Sequence, residues 1–425
     1  MDSTNAVLDA VHSSPAVRTT SEALPLPGER QVLGGAIGSL ETAVVAVLHL
    51  AHPERVFVAV AESPRDAMSV EADLETLLDG DEESHLYPQK EALPYEESET
   101  QLEIGGLRVE AVEALFAGRT KVIVTTPRAL QERAPIPARL ADLRTTLRVG
   151  AEMPFGDLTG LLEDRGFERV SLVEGVGQFA VRGGLLDVFS VSAGDPVRIE
   201  FWGDEIVSIR PFDISDQRST GELPETHILP VDFRTDGDAD EGEVWRSLLE
   251  LLPSDAVVMR LGDWDMGVDF ERTWNRVETL YDSLVESGAE PPLPGALFLE
   301  PSSVTERLAA LPRLDIVSSR DLPRAIEASP PPEIDRDMAR LDTYLKNGEA
   351  TAAETLLLCD NDGQLQRLEE ILGGPRRLPI GTRLGLGALA GGFELACSDP
   401  PLRVVNDHEI FRRPRRVRRS RRFRG

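Results

Sequence analysis

Cysteine is almost missing from this chain of 425 residues, which has two, and aromatic residues make up only 5% of it. Cys359 and Cys397 each lie in an apolar, strand-like stretch, which suits a reducing compartment and offers no disulfide framework. The six histidines are scattered, with only His49 and His52 as near neighbours, so no zinc-ligand spacing emerges and the expected metal content is none. No apolar run approaches the roughly 20 residues that cross a bilayer. The polar start MDSTNAVLDAVHSSPAVRTTSEA lacks the basic-then-apolar order of a secretory signal. A cytoplasmic chain with no membrane partner is therefore expected. Basic residues are scarce, 45 against 74 acidic ones, for a net charge of -29. Nine arginines are crowded between Arg412 and Arg424, so the remainder is more acidic still. Such a body repels a nucleic-acid backbone at long range and is a poor general DNA binder.

The stretch from Gly166 to Asp213 is the most strongly patterned. Apolar and polar residues alternate through Phe179-Ala180-Val181-Arg182 and through Val197-Arg198-Ile199-Glu200-Phe201, the period of half-buried strands. Glycines punctuate the run, and Trp202-Gly203-Asp204-Glu205 has the composition of a tight hairpin. The pattern predicts a small antiparallel sheet with one solvated face. On that face are expected Arg169, Arg182, Arg198 and Arg210, with Arg165 just before and Arg218 just after. Guanidinium groups there either meet a partner's carboxylates or phosphates, or pair locally with Glu174, Glu200, Asp204 and Glu205.

Nearer the start, Gln31 to Thr42 followed by AVVAVLHLA reads as strand, glycine-rich loop and helix, the context of a phosphate-binding loop. Set on G-x-x-x-x-G-K-[ST], Gly35 and Thr42 fit, and Gly38 lies within the loop. Leu40 stands for the second glycine and Glu41 for the lysine. Glutamate exchanges attraction to a triphosphate for repulsion, so no ATP site is expected; Ser39 or Thr42 is expected to cap backbone amides instead. The surrounding chain reads as α/β, with a strand after Arg55, a helix from Pro64 to Leu78 and a strand from Lys121 leading into a helix at Pro127. Residues up to about Pro27 read as a polar lead-in with one short helix. A long helix is expected from Trp264 to Ser287. Beyond Pro330, Thr355 to Asp360 reads as a buried strand and Gly363 to Leu372 as a helix.

The runs VGQFAVRGGLLDVF and PVRIEFWGDEIVSIRPFD closely resemble the second domain of the bacterial transcription-repair coupling factor (Mfd) family and, more distantly, the matching domain of the excision-nuclease subunit UvrB. The broken loop at Leu40 and Glu41 favours the first family, whose amino-terminal module is similar to UvrB with its nucleotide site lost. The resemblance implies an α/β fold: a UvrB-like module with a degenerate P-loop parallel sheet, an inserted α+β antiparallel-sheet domain and a small C-terminal α/β domain with Val405 to Phe411 as its closing strand. The corresponding divisions are a lead-in over 1–27, the first α/β part over 28–149, the inserted domain over 150–232, the second α/β part over 233–329, the third domain over 330–411 and an arginine-rich tail over 412–425. It implies docking of UvrA in transcription-coupled nucleotide excision repair, with Arg169, Arg182 and Phe189 on the surface and Arg165 and Arg210 in support.

The resemblance further implies that RNA polymerase and DNA are contacted, and ATP and magnesium used, by translocase domains not found in these residues. No cofactor and no catalytic residue is expected on this chain. The tail, with Arg412, Arg413, Arg415, Arg416, Arg418, Arg419, Arg421, Arg422 and Arg424, is too charged to form a core and is either a linker or a nucleic-acid contact. The alternatives are a UvrB-type ATP-binding repair subunit, or a nucleic-acid-binding protein acting through that tail.

Overall fold

A computed structural model of the chain describes residues 3–78, 83–96, 102–137, 143–233, 244–374 and 377–413. It is a mixed α/β structure that divides into two compact units. The first gathers Met1–Ser84, Pro253–Asp265 and Glu306–Arg418; the second gathers His85–Leu252 and Met266–Thr305.

In the first unit the strands Arg30–Leu33, Arg313–Ile316, Val257–Leu261 and Phe57–Val60 lie side by side in that order, all parallel. Every residue of Phe57–Val60 is buried, as an apolar run must be when both sheet faces are covered. The helix Leu40–Ala51 buries all but three of its residues, and Pro64–Leu78 forms the helix expected at those bounds. The lead-in is more structured than its polarity suggests. It forms two helices, Ser3–Ser13 and Pro15–Glu22, and the first packs on both Leu40–Ala51 and Pro64–Leu78. Val7 and Val11, one helical turn apart, together with Val17 are the buried anchors. Three valines among many Ser, Thr and Asp residues dilute the helical period below what a sequence window detects.

The same unit holds a second sheet, ordered Ala328–Ser329, Phe393–Leu395, Leu402–Asn406, Glu354–Cys359, Thr382–Leu386. Its last three strands are parallel. The helices Met338–Ala350 and Asp362–Ile371 bury Leu341, Leu345 and Leu368 in a core shared with Leu357 and Val405. The strand expected over Val405 to Phe411 stops at Asn406, where the short helix Asp407–Ile410 begins. Glu409 turns the chain by accepting the Asn406 backbone N–H at 2.9 Å, one half of a capping box.

The second unit contains the helices Leu102–Phe116 and Met266–Glu286, the latter starting two residues after Trp264, and a five-stranded sheet. That sheet runs Glu205–Pro211, Val197–Trp202, Leu185–Val188, Gln178–Arg182, Glu168–Arg169. It is antiparallel except for the last pair, which is parallel. The flanking strands Thr145–Arg148 and Glu225–Ile228 pair with one another, Thr145 opposite Ile228 and Arg148 opposite Glu225.

Candidate docking surface and the glycine loop

The alternation in the five-stranded sheet separates two faces. Phe179, Leu186, Val188, Val197, Ile199, Phe201, Ile206 and Ile209 form one core with Leu158 and Leu162 of the helix Phe155–Asp164. Gly183 and Gly203 take the positive φ needed at the two hairpin tips. On the other face the register aligns Ala180, Asp187, Arg198 and Arg210 in one row, and Arg182, Leu185, Glu200 and Ser208 in the next.

The expected row of arginines is therefore split. Arg182, Arg198 and Arg210 share the face away from the helix. Arg169 pairs in parallel with Phe179, which puts it on the helix side, and it lies 3.6 Å from Glu163 of that helix. The register, which sets Arg169 opposite Phe179 rather than Ala180, is what moves it across.

The three arginines on the open face are not equivalent. Arg198 forks onto Asp187 at 2.7 and 2.8 Å and stacks over Phe212, so it is spent within the fold. Its guanidinium is held even more firmly protonated by that bond. Arg210 reaches Glu200 at 2.6 Å, as the local-pairing alternative expects. Arg182 is exposed and makes one long contact, 3.4 Å to the Ser171 carbonyl.

Phe189 and Arg165 are placed differently from a contact surface. Phe189 is 3% exposed and packs with Val173, Ala180 and Phe212 beneath the segments that fold over one end of the open face. Arg165 donates to the Ile228 carbonyl at 2.8 Å, and partial burial holds its pKa below the usual arginine value. Both hold the domain together. Trp202, by contrast, is 80% exposed at the hairpin tip and faces away from the core. Its sequence context marks only a turn, though a large aromatic beside a Gly-Asp tip has no core to enter and is a frequent interface anchor.

The glycine loop lies in the first unit and is shaped by its own neighbours. A Cβ on Gly35 would sit 2.0 Å from the Ile326 carbonyl oxygen, so this glycine serves close backbone packing. At the start of the helix Leu40–Ala51, the Ser39 N–H donates to the Gly391 carbonyl at 3.0 Å. The Ser39 hydroxyl donates to Asp73 at 2.5 Å and accepts from the Gly391 N–H at 2.9 Å. Asp73 also accepts from the Ala390 N–H at 2.9 Å. Ser39 thus makes no side-chain cap, contrary to expectation, because its oxygen is drawn into this bridge.

Leu40 and Thr42 are buried. Glu41 lines a cavity of about 570 Å³ together with Asp66, Asp73 and Asp263, and among the described residues no lysine or arginine lines it. Burial first, then repulsion from those three carboxylates, pushes the Glu41 carboxyl up to about 7.

Of the arginines in the tail, Arg412 pairs with Glu333 and Asp335, and Arg413 with Asp407. Arg415, Arg416, Arg418, Arg419, Arg421, Arg422 and Arg424 lie outside the described residues.

Residues 145–233 match the UvrB interaction domain. The transcription-repair-coupling factor of Mycobacterium tuberculosis is 38% identical over 152 residues, 34% of this chain and 12% of that protein. The factor of Myxococcus xanthus is 37% identical over 212 residues, 48% of this chain and 17% of the relative, and that of Bacillus subtilis 28% over 203 residues, again 48% and 17%. The chain thus covers less than a fifth of the length of these relatives. The chain thus matches the UvrB interaction domain over residues 145–233 and is similar to transcription-repair-coupling factors over up to about half its length.

Proposed function

We propose that residues 145–233 dock UvrA, and that the chain is a UvrA-recruiting module in transcription-coupled nucleotide excision repair. The observation that carries this is the match of those residues to the UvrB interaction domain, over a sheet that keeps one charged face open. On that face Arg182 is the guanidinium with the weakest local tie, and it is our first choice for the contact, with the exposed Trp202 at the other hairpin tip as an apolar anchor. Arg169 stands at the sheet's edge, Arg210 needs to exchange Glu200 for a partner's carboxylate, and Arg165 and Phe189 act by holding the surface in shape.

Calorimetric titration of purified UvrA into the chain tests this. Arg182→Ala should weaken binding by about 2 to 5 kcal/mol if the charge is desolvated in the complex. Its unfolding free energy should stay within about 0.5 kcal/mol of the wild type, as befits an exposed site. Docking is disproved if the wild-type chain and UvrA do not associate, and Arg182 loses its role if its alanine variant binds as tightly as the parent.

We infer also that the glycine loop holds no nucleotide and that this chain has no catalytic group or cofactor of its own. In support, Glu41 faces an acidic cavity that repels phosphate, and the Gly391 carbonyl takes the Ser39 amide that a phosphate would use. Contacts to RNA polymerase and DNA, and ATP-driven translocation, we assign to other domains of the family.

A further inference from the structure

The small sheet of the first unit gathers three ionisable side chains at the carboxyl end of two of its central strands. Glu354–Cys359 and Leu402–Asn406 are parallel neighbours, so their C-terminal ends open on the same side. Asp360 follows the first strand directly, and Asp407 and His408 follow the second. One ligand atom of each lies within 4.8 Å of the other two. Open α/β sheets place ligands outside the carboxyl ends of their strands.

The hydrogen bonding around these three side chains is lopsided. Asp407 is 1% exposed and His408 7%. Asp407 Oδ2 is fully engaged: Arg413 donates to it at 2.8 Å, and the Gln364 amide, with its nitrogen turned inward, donates at 2.7 Å. Asp407 Oδ1 has no hydrogen-bond partner, and neither does His408 Nδ1. These two atoms face one another across 4.0 Å, too far for a hydrogen bond.

On the far side of the ring, His408 Nε2 lies 3.3 Å from the Ala390 carbonyl. A carbonyl can only accept, so that nitrogen carries the hydrogen and Nδ1 is left with its lone pair. Two buried acceptors left unmet so close together are costly. A divalent cation with bonds of about 2.1 Å fits between such atoms, because its ligands stand about 3.4 Å apart in a tetrahedron and about 3.0 or 4.2 Å apart in an octahedron, which brackets the 4.0 Å seen here. A ring nitrogen on the metal with the other ring N–H held by a backbone carbonyl is the usual arrangement of a ligating histidine.

We propose that Asp360, Asp407 and His408 form a binding site for a divalent first-row transition-metal cation of the manganese or zinc type, with His408 ligating through Nδ1. An imidazole suits zinc and the later metals, carboxylates suit manganese, and the mixed set disfavours calcium and magnesium. Arg413 offsets part of the carboxylate charge through Oδ2 and leaves Oδ1 to the metal. The bound ion ties the ends of two parallel strands to the start of the helix Asp362–Ile371.

The test is titration of Mn²⁺ into the chelator-treated chain, with loss of the free-ion electron paramagnetic resonance signal counting the bound ion. Histidine ring resonances are followed by NMR in the same samples. We expect one strong site per chain, broadening of the His408 ring signals, and affinity lowered at least about tenfold in Asp360→Asn and in His408→Gln. Zn²⁺ should compete with Mn²⁺ for the site. Mn²⁺ that stays free up to millimolar concentration overturns the site, as does equal uptake by both variants. So does a His408 ring that titrates as an imidazolium paired with Asp407 while no ion binds. If a variant fails to fold, the wild-type His408 resonances decide: broadening supports the site and unchanged lines refute it.

Discussion

Glu41 stands where a phosphate-binding loop carries lysine, and its surroundings make that exchange costly in a pH-dependent way. Asp66 and Asp73 face it from one helix and Asp263 from the end of a strand, while Glu62 lines the same cavity. Burial and these aspartates push its carboxyl up to about 7 in the folded chain, from an ordinary 4.5. The folded chain therefore keeps a proton that the unfolded chain releases, and this group's contribution to stability falls as pH rises from 4.5 to about 7. Above that window the carboxylate is charged in both states and the loss is complete. Glu41→Gln removes the charge while keeping the shape. We expect it to stabilise the chain by about 2 kcal/mol near pH 8 and by almost nothing near pH 4, in urea unfolding curves at the two pH values.

At the scale of elements, the helix Leu40–Ala51 and the loop around Gly391 behave as one assembly, bridged by Ser39 and Asp73. Restoring the missing glycine and lysine with Leu40→Gly and Glu41→Lys should therefore leave ATP affinity weaker than about 1 mM in an equilibrium titration, because the Gly391 carbonyl still occupies the Ser39 amide. Tight binding by the double variant would show that side-chain charge alone had emptied the site.

Elements of this kind were legible to different degrees in the sequence. The buried run at Phe57–Val60 and the helix Pro64–Leu78 are local signals, apolar continuity and amphipathic period, and both formed where they were expected. The strands around Phe179 and Ile199 followed from their alternation. What sequence could not show was pairing. Arg169 went to the helix side because its register sets it opposite Phe179, and the Gly391 loop met Ser39 from 352 residues away. Asp360 escaped notice beside Asp407 and His408 for the same reason, since their proximity comes from strand order alone.

For the molecule as a whole, charge sets the terms. A net charge of -29 with nine arginines at one end describes an acidic body with a basic tail. Because Arg412 and Arg413 are held by Glu333, Asp335 and Asp407, a clean test of the tail removes only residues 414–425. If the seven arginines so removed contact nucleic acid, the deletion should flatten the log–log dependence of duplex-DNA affinity on salt by about 0.9 for each phosphate they neutralise. An unchanged slope leaves the tail as a linker.

The two compact units are each assembled from separate stretches of chain, so a single stop codon or start site cannot yield either one intact. Residues 145–233 are the exception. Their outermost strands, Thr145–Arg148 and Glu225–Ile228, lie against each other in opposite directions, which brings entry and exit together. Such a segment can be transplanted into the surface loop of an unrelated scaffold without stretching either end, provided the scaffold replaces Leu102, which packs on its core from outside.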